Sequence, residues 1–252
     1  MRKVIIFAAL IVSMLSHSVY AKQFNVLVFS KTDGWHHQSI NEGVNTIEYL
    51  AERHFFDMEW HEDANIFNDE DLTKFDVVVF LNTTGNILND KQQKAFEKYY
   101  KAGKGFVGIH SASDTEYEWE WYTKLVGRLF VIHPTNQTAQ VDVIDTNFPG
   151  VERLPKSFLW TDEWYEFGNE KVSGLNYILS IDEKTYDPKA DWGRVKGDGM
   201  GDFHPVSWYH NFDGGRSFYT NLGHMRSGWS DSLLQQHIFG GIYWAATGKG
   251  IR

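Results

Sequence analysis

The residues of this sequence best able to do chemistry are histidines and carboxylates placed where short apolar runs end. The stretch Gly103–Thr115, G-K-G-F-V-G-I-H-S-A-S-D-T, carries Phe106, Val107 and Ile109 in a run typical of a buried parallel strand. It stops abruptly at the polar turn His110-Ser111-Ala112-Ser113-Asp114. Ligands of open α/β sheets gather beyond the carboxyl ends of strands, so His110 and Asp114 are the first candidates. His37, His133, His204 and His224 occupy comparable loop positions. Singly, each reads as a hydrogen-bonded structural imidazole; together, they read as one rim. Neutral imidazole serves as a general acid or base near pH 7 and also ligates zinc or a similar divalent metal. No H-E-x-x-H or H-x-H pair occurs, so spacing alone names no metal. The run Asp162-Glu163-Trp164-Tyr165 sets two carboxylates beside two aromatic rings. It reads either as a desolvated general acid/base or as a solvated acidic turn.

Several classes of function are excluded. With no cysteine there is no disulfide, thiolate ligand or thiol nucleophile. Gly103-Lys104-Gly105 and Gly197–Gly201 match neither a dinucleotide fingerprint nor a P-loop, and Ser111 lies in I-H-S-A-S rather than a nucleophile elbow. Arg2 and Lys3, the apolar run Val4–Leu15 and Val19-Tyr20-Ala21 form an export signal over residues 1–21. The run falls short of the roughly 20 residues a spanning helix needs. Removing that leader takes the net charge from −9 to about −11. A chain this acidic, without a basic stripe, points away from nucleic acid and anionic membrane. The expectation is an exported protein, periplasmic rather than secreted, with residues 22–252 forming a single domain. Its ten Trp and twelve Tyr can stack on sugar faces or fill a core.

Four elements must hold the first of these loops. Phe24–Ser30 reads as a first, central strand; Met58–His61, Phe75–Leu81 and the run before His110 read as the next three. Between them lie a helix opened by a capping box of Ser39 with Glu42, and another opened by Asn89 with Gln92 and stopped at Gly103. The β-α-β-α-β-α-β order predicts a three-layer α/β/α sandwich with a mainly parallel central sheet, flavodoxin-like. Thr138–Ile144, Leu175–Ile181, Val206–His210 and Arg216–Thr220 are further strand candidates. A closing helix runs from Asp231 through Ala246, and Thr185–Phe203 reads as a long loop.

With these residues set out, the chain resembles the ThuA-like (trehalose-utilisation) family. The matching segments include K-T-D-G-W-H-H-Q-S-I (31–40), G-F-V-G-I-H-S-A-S-D-T-E-Y (105–117), D-E-W-Y-E-F (162–167), H-P-V-S-W (204–208) and G-G-R-S-F-Y-T-N-L-G-H (214–224), in the family's order. Two departures are Trp35-His36 before His37, where the family has an aromatic and Arg, and Phe203 before His204, where it more often has Asp. The resemblance implies a class I glutamine amidotransferase-like fold. Amidotransferases of that fold keep a cysteine at the strand-to-helix elbow; this chain has His110 there, so amidotransferase activity is not implied.

The resemblance also implies catabolism of trehalose and related disaccharides, alongside a sugar dehydrogenase that makes 3-keto sugars. The expected partner is a small carbohydrate, and the expected step an acid/base conversion of an oxidised glycoside. On that reading His110 is the base or a metal-held electrophile and Glu163 its acid/base partner. His37, His133, His204 and His224 orient substrate or hold a divalent metal, and Trp164 and Tyr165 form a stacking wall. Ordinary hydrolysis by Glu163 with Asp114 would need those carboxylates about 5–10 Å apart. A non-catalytic carbohydrate-binding role is the alternative. No cofactor is certain, and the sequence leaves the oligomeric state open.

Overall fold

The computed structural model describes residues 22–168 and 171–250; the export signal expected at 1–21 lies outside them. Strands β1 (Asn25–Phe29), β2 (Asp57–His61), β3 (Val77–Leu81) and β4 (Gly105–Ile109) alternate with helices α1 (Ile40–His54) and α2 (Asp90–Lys101). After β4 come α3 (Glu120–Val126), then β5 (Gln137–Val143), β6 (Ser157–Asp162) and β7 (Asn176–Asp182). A two-residue ladder, β8 (Ala190–Asp191) with β9 (Lys196–Gly197), precedes β10 (His204–Phe212), β11 (Gly215–Thr220) and α4 (Ser232–Thr247). The main sheet has the order β2-β1-β3-β4-β11-β10-β7-β5-β6. Pairings from β2 through β11 are parallel and those from β11 through β6 antiparallel, so only β10 and β5 run against the others.

The period-2 alternation of strand side chains makes the layers. Val26, Val28, Val79 and Val107 face one side and pack with Ile47 and Leu50 of α1 and Ile238 and Ile242 of α4. Leu27, Phe29, Phe80 and Phe106 face the other and pack with Phe96 and Tyr100 of α2 and Tyr122 of α3. The α/β/α sandwich read from the sequence is therefore the fold.

Three local readings change. β1 is second from the edge, not central, because β2 pairs along its outer side. The capping box holds at Asn89, whose side chain accepts from the backbone of Lys91 and Gln92 while Gln92 Oε1 accepts from Asn89 N. It fails at Ser39, whose hydroxyl donates to the Gly223 carbonyl (2.9 Å) and accepts from Asn82 Nδ2 (2.9 Å), while Glu42 binds Arg226. Both side chains thus serve the loop that carries His224 rather than their own helix. Sequence reading did not find β6 and α3, and a short hairpin divides the Thr185–Phe203 loop. Among the described residues no helix is long and apolar enough to cross a membrane.

Gly105 shows how closely β4 meets α4: a Cβ there would lie 2.5 Å from the Ala245 carbonyl oxygen. Gly105→Ala is expected to lower unfolding free energy by about 1–3 kcal/mol, read from urea denaturation.

Candidate active site

The end of β4 places the first side chain. His110 has φ +50° in the left-handed region, a conformation that costs a non-glycine residue and is held by its surroundings. Its carbonyl accepts from Tyr219 Oη (2.7 Å) and Ser113 Oγ (3.2 Å). Its Nδ1–H donates to the Asn221 carbonyl (2.8 Å), which turns Nε2 toward the site. β11 lies beside β4 and runs parallel to it, so the turn after β11 brings His224 to the same edge. The loop after β1 brings His37, whose Nδ1 meets Ser111 Oγ at 3.2 Å.

Glu163 and His133 arrive from the far side of the sheet. β6 is five strands from β4, about 24 Å away were the sheet flat. The segment just past β6 crosses back toward β11, Tyr165 N donating to Asn221 Oδ1 and the Phe167 ring packing on Trp208 and Tyr219, and it brings Glu163 to the rim. Glu163 Oε2 lies 3.3 Å from His110 Nε2 and 3.2 Å from His224 Nδ1; Oε1 lies 3.3 Å from His133 Nε2. His224 Nδ1 is 3.2 Å from His110 Nε2, and the Tyr165 hydroxyl is 3.0 Å from that same nitrogen.

The electrostatics follow from burial around one negative charge. Burial would raise the pKa of Glu163, but hydrogen bonds from His110 and His224, with the charges of His110 and His133, hold it well below the usual carboxylate range. Burial pushes His37 down to about 2, with repulsion from His110 and His224 adding to it. His133 is lowered, first by burial, despite Glu163 and the Pro134 carbonyl. His224 is raised: burial opposes the shift, and the hydrogen bond and charge of Glu163 outweigh it. At neutral pH the site holds an ionised carboxylate with His37 and His133 neutral.

His37, His110, Glu163 and His224 each offer one ligand atom, and these atoms lie within 4.8 Å of one another. Four ligands at about 2.0–2.2 Å from a divalent cation stand about 3.3–3.6 Å apart; Glu163 Oε2, His110 Nε2 and His224 Nδ1 lie 3.2–3.3 Å from one another, with His37 within 4.8 Å. Imidazoles with one carboxylate suit zinc and neighbouring transition ions, and His110 and His37 each use their other ring nitrogen on a protein oxygen, as metal-bound histidines do. The residues therefore fit a divalent cation.

Other candidates sit differently. Asp114 lies at the edge of the cluster, its Oδ1 accepting from Tyr117 Oη (2.7 Å), and burial raises its pKa. Tyr165 is buried, with its hydroxyl in the site and its ring against Phe130 (4.2 Å). Trp164 is not a stacking wall: it is 0% exposed in the core, with Nε1 bonded to the Gln137 carbonyl. His204 is not in the cluster, because both its nitrogens are taken, Nδ1 by Glu183 (2.6 Å) and Nε2 by the Tyr165 carbonyl (2.9 Å). It positions Tyr165 instead. Glu62 and Asp63, with Lys31 and Gln92, line a separate cavity of about 400 Å³.

The sequence pointed to Asp162 as a possible acid/base rather than a support, and did not point to Asn221. Asp162, buried beside Glu163, accepts from the backbone N–H groups of Glu163, Gly223, His224 and Met225 and from Trp160 Nε1. It holds the ends of β6 and β11 together. Asn221 orients His110 and accepts from Tyr165 N. Each is a polar residue at a strand end, a signal available in the sequence but shared by many surface residues.

The sequence profile of the ThuA family, described as trehalose utilisation, matches residues 25–245. No curated protein sequence matches the chain. Among solved structures, a ThuA-like protein of Bacteroides uniformis superposes with TM-score 0.73 at 21% identity, covering 92% of this chain and 94% of its own. A ThuA-like protein of Parabacteroides merdae gives 0.73 at 18% identity, covering 92% of each chain. A cytoplasmic protein of Salmonella typhimurium gives 0.57 at 8% identity, covering 88% and 98%. At these identities the likeness is one of fold.

Asp162→Asn puts a donor where backbone and indole N–H groups need an acceptor, and is expected to cost about 2–4 kcal/mol in urea denaturation at pH 7. Glu183 carries a pH signature. Burial would raise its pKa, but His204 and the N–H groups of Met200 and Gly201 bring it below the ordinary value. Its stabilisation is therefore present above the unfolded-state carboxylate pKa and lost as pH falls through the lower folded value. Between about pH 7 and pH 3 the stability gap between wild type and Glu183→Gln should shrink, measured by urea midpoints across that range.

Proposed function

Starting from the fact that the chain belongs to the ThuA, trehalose-utilisation family, we propose that it is a periplasmic enzyme that converts a disaccharide or 3-keto-glycoside related to trehalose. The observation that carries this reading is the meeting of His110, His133 and His224 on the Glu163 carboxylate. A ketone at C3 of a sugar makes the C2 proton acidic, so cleavage needs a base, an acid and stabilisation of the enolate.

The sequence suggested His110 as base or electrophile; with Nδ1 on the Asn221 carbonyl and Nε2 against Tyr165 Oη and His224, His110 takes the electrophile's part and His133 the proton. His133 Nδ1–H donates to the Pro134 carbonyl (2.7 Å), its Nε2 carries the lone pair, and Glu163 Oε1 stands by to stabilise the imidazolium. Taking the C2 proton forms the C1=C2 bond as the C1–O bond breaks, and the proton passes to the departing oxygen. Water then adds across the double bond to complete a net hydrolysis. His110, oriented by Asn221, and the neutral Tyr165 hydroxyl face the position where negative charge develops. His37, His110, Glu163 and His224 are the residues that would hold a divalent cation; the chemistry such a cation supplies is polarisation of a carbonyl oxygen. A sugar dehydrogenase would supply the 3-keto substrate.

Turnover of 3-keto-trehalose is expected to fall by about 100- to 10,000-fold in His110→Ala and in Glu163→Gln. Chelation is expected to strip a bound divalent ion, detected by elemental analysis, and to lower turnover until the ion is restored. Wild-type turnover in both variants would remove the assignment. Tight sugar binding without turnover in the wild type would favour a binding protein.

A further inference from the structure

The hairpin of β8 and β9 carries Trp192 to the lip of the site. Its indole is 52% exposed, and its ring centre lies 4.8 Å from that of His133, edge to face, and 5.9 Å from that of Phe130. The hairpin is braced on both sides of its turn. Trp192 N–H donates to the Val195 carbonyl (2.9 Å), and Lys196 Nζ pairs with Asp191 Oδ2 (2.6 Å). Just beyond, Glu166 accepts from Gly199 N (2.9 Å) and Glu183 accepts from Gly201 N (2.8 Å). Glu183 also grips His204, which holds the carbonyl of Tyr165, whose hydroxyl meets His110. An apolar ring half open to water is thus held in a set position beside the buried cluster.

We propose that Trp192 is the stacking platform for the outer pyranose of a two-ring glycoside, the ring next to the one that reacts. This rests on the carbohydrate reading of the site given above. A pyranose has an apolar C–H face that lies on an aromatic ring and a hydroxyl edge that needs polar partners. His133 lies between Trp192 and Glu163, so a sugar ring in contact with Glu163 leaves Trp192 to its neighbour. Trp164, the aromatic the sequence suggested for this task, is sealed in the core, which leaves Trp192 to present an open ring beside His133. One indole flanked by imidazole and carboxylate suits a small polar ring better than a protein surface.

The test is calorimetric titration of the full chain with trehalose, 3-keto-trehalose and glucose, together with KM and kcat on 3-keto-trehalose. Trp192→Ala is expected to weaken binding of the two-ring ligands by about ten-fold or more. Glucose affinity should change by less than about two-fold, and kcat and the thermal midpoint should stay near wild type. Trp192→Phe should recover most of the affinity, while Leu159→Ala, an exposed site outside the cluster, should match wild type. Unchanged two-ring affinity in Trp192→Ala, with His110→Ala inactive, overturns the platform and leaves the active site standing. Equal losses for glucose and trehalose overturn the outer-ring assignment. A wild-type chain that neither binds nor converts any of the three sugars overturns both readings.

Discussion

A buried carboxylate has to be paired, and Glu163 meets that requirement with imidazoles from three separate loops. Much of the arrangement follows from this pairing. The charge draws His110 and His224 onto one oxygen and His133 onto the other. It raises the proton affinity of His224 while burial leaves His37 and His133 neutral. The same carboxylate, held ionised, is thereby available as a ligand or a counter-charge, and its imidazole neighbours suit both roles.

The scaffold supplies the positions in two ways. At the parallel end of the sheet, β1, β4 and β11 deliver His37, His110 and His224 to one edge because their carboxyl ends point the same way. From the antiparallel end, the segments before β5 and after β6 carry His133 and Glu163 across to meet them. Asp162 joins the two ends by accepting N–H groups from both the β6 and β11 turns. Ser39 and Glu42 hold the β11 turn from the side of α1. The left-handed backbone of His110 is sustained by this enclosure, since Tyr219 and Ser113 bond its carbonyl and Asn221 bonds its ring.

The elements were more legible than their partners. β3, β4 and β1 after Asn25 are apolar runs, and Asn89 with Gln92 forms the cap its spacing suggests, since such features depend on neighbours within a few residues. Ser39 with Glu42 has the same spacing and does something else, because a residue far along the chain competes for each side chain. Trp164 and Tyr165 are adjacent, yet one is sealed against the Gln137 carbonyl and the other reaches His110. Successive side chains at a strand end point in different directions, and no composition rule says which of them faces the cavity. β6 lacks the long apolar run of β1, β3 and β4, since only Phe158-Leu159-Trp160 is apolar between Ser157 and Thr161-Asp162.

By itself the sequence determined the layered α/β fold, the family and the histidines and acids worth watching, since these rest on local periodicity and on motifs read in order. The tertiary structure alone decided which of them meet. His110 and His224 are 114 positions apart, and His37 and Ser111 are 74 apart. Contacts over such separations depend on sheet order and on the paths of the connecting segments, which are set by packing across the whole domain. For the same reason His204 became a support, Asp162 a clamp and Trp192 the aromatic at the lip.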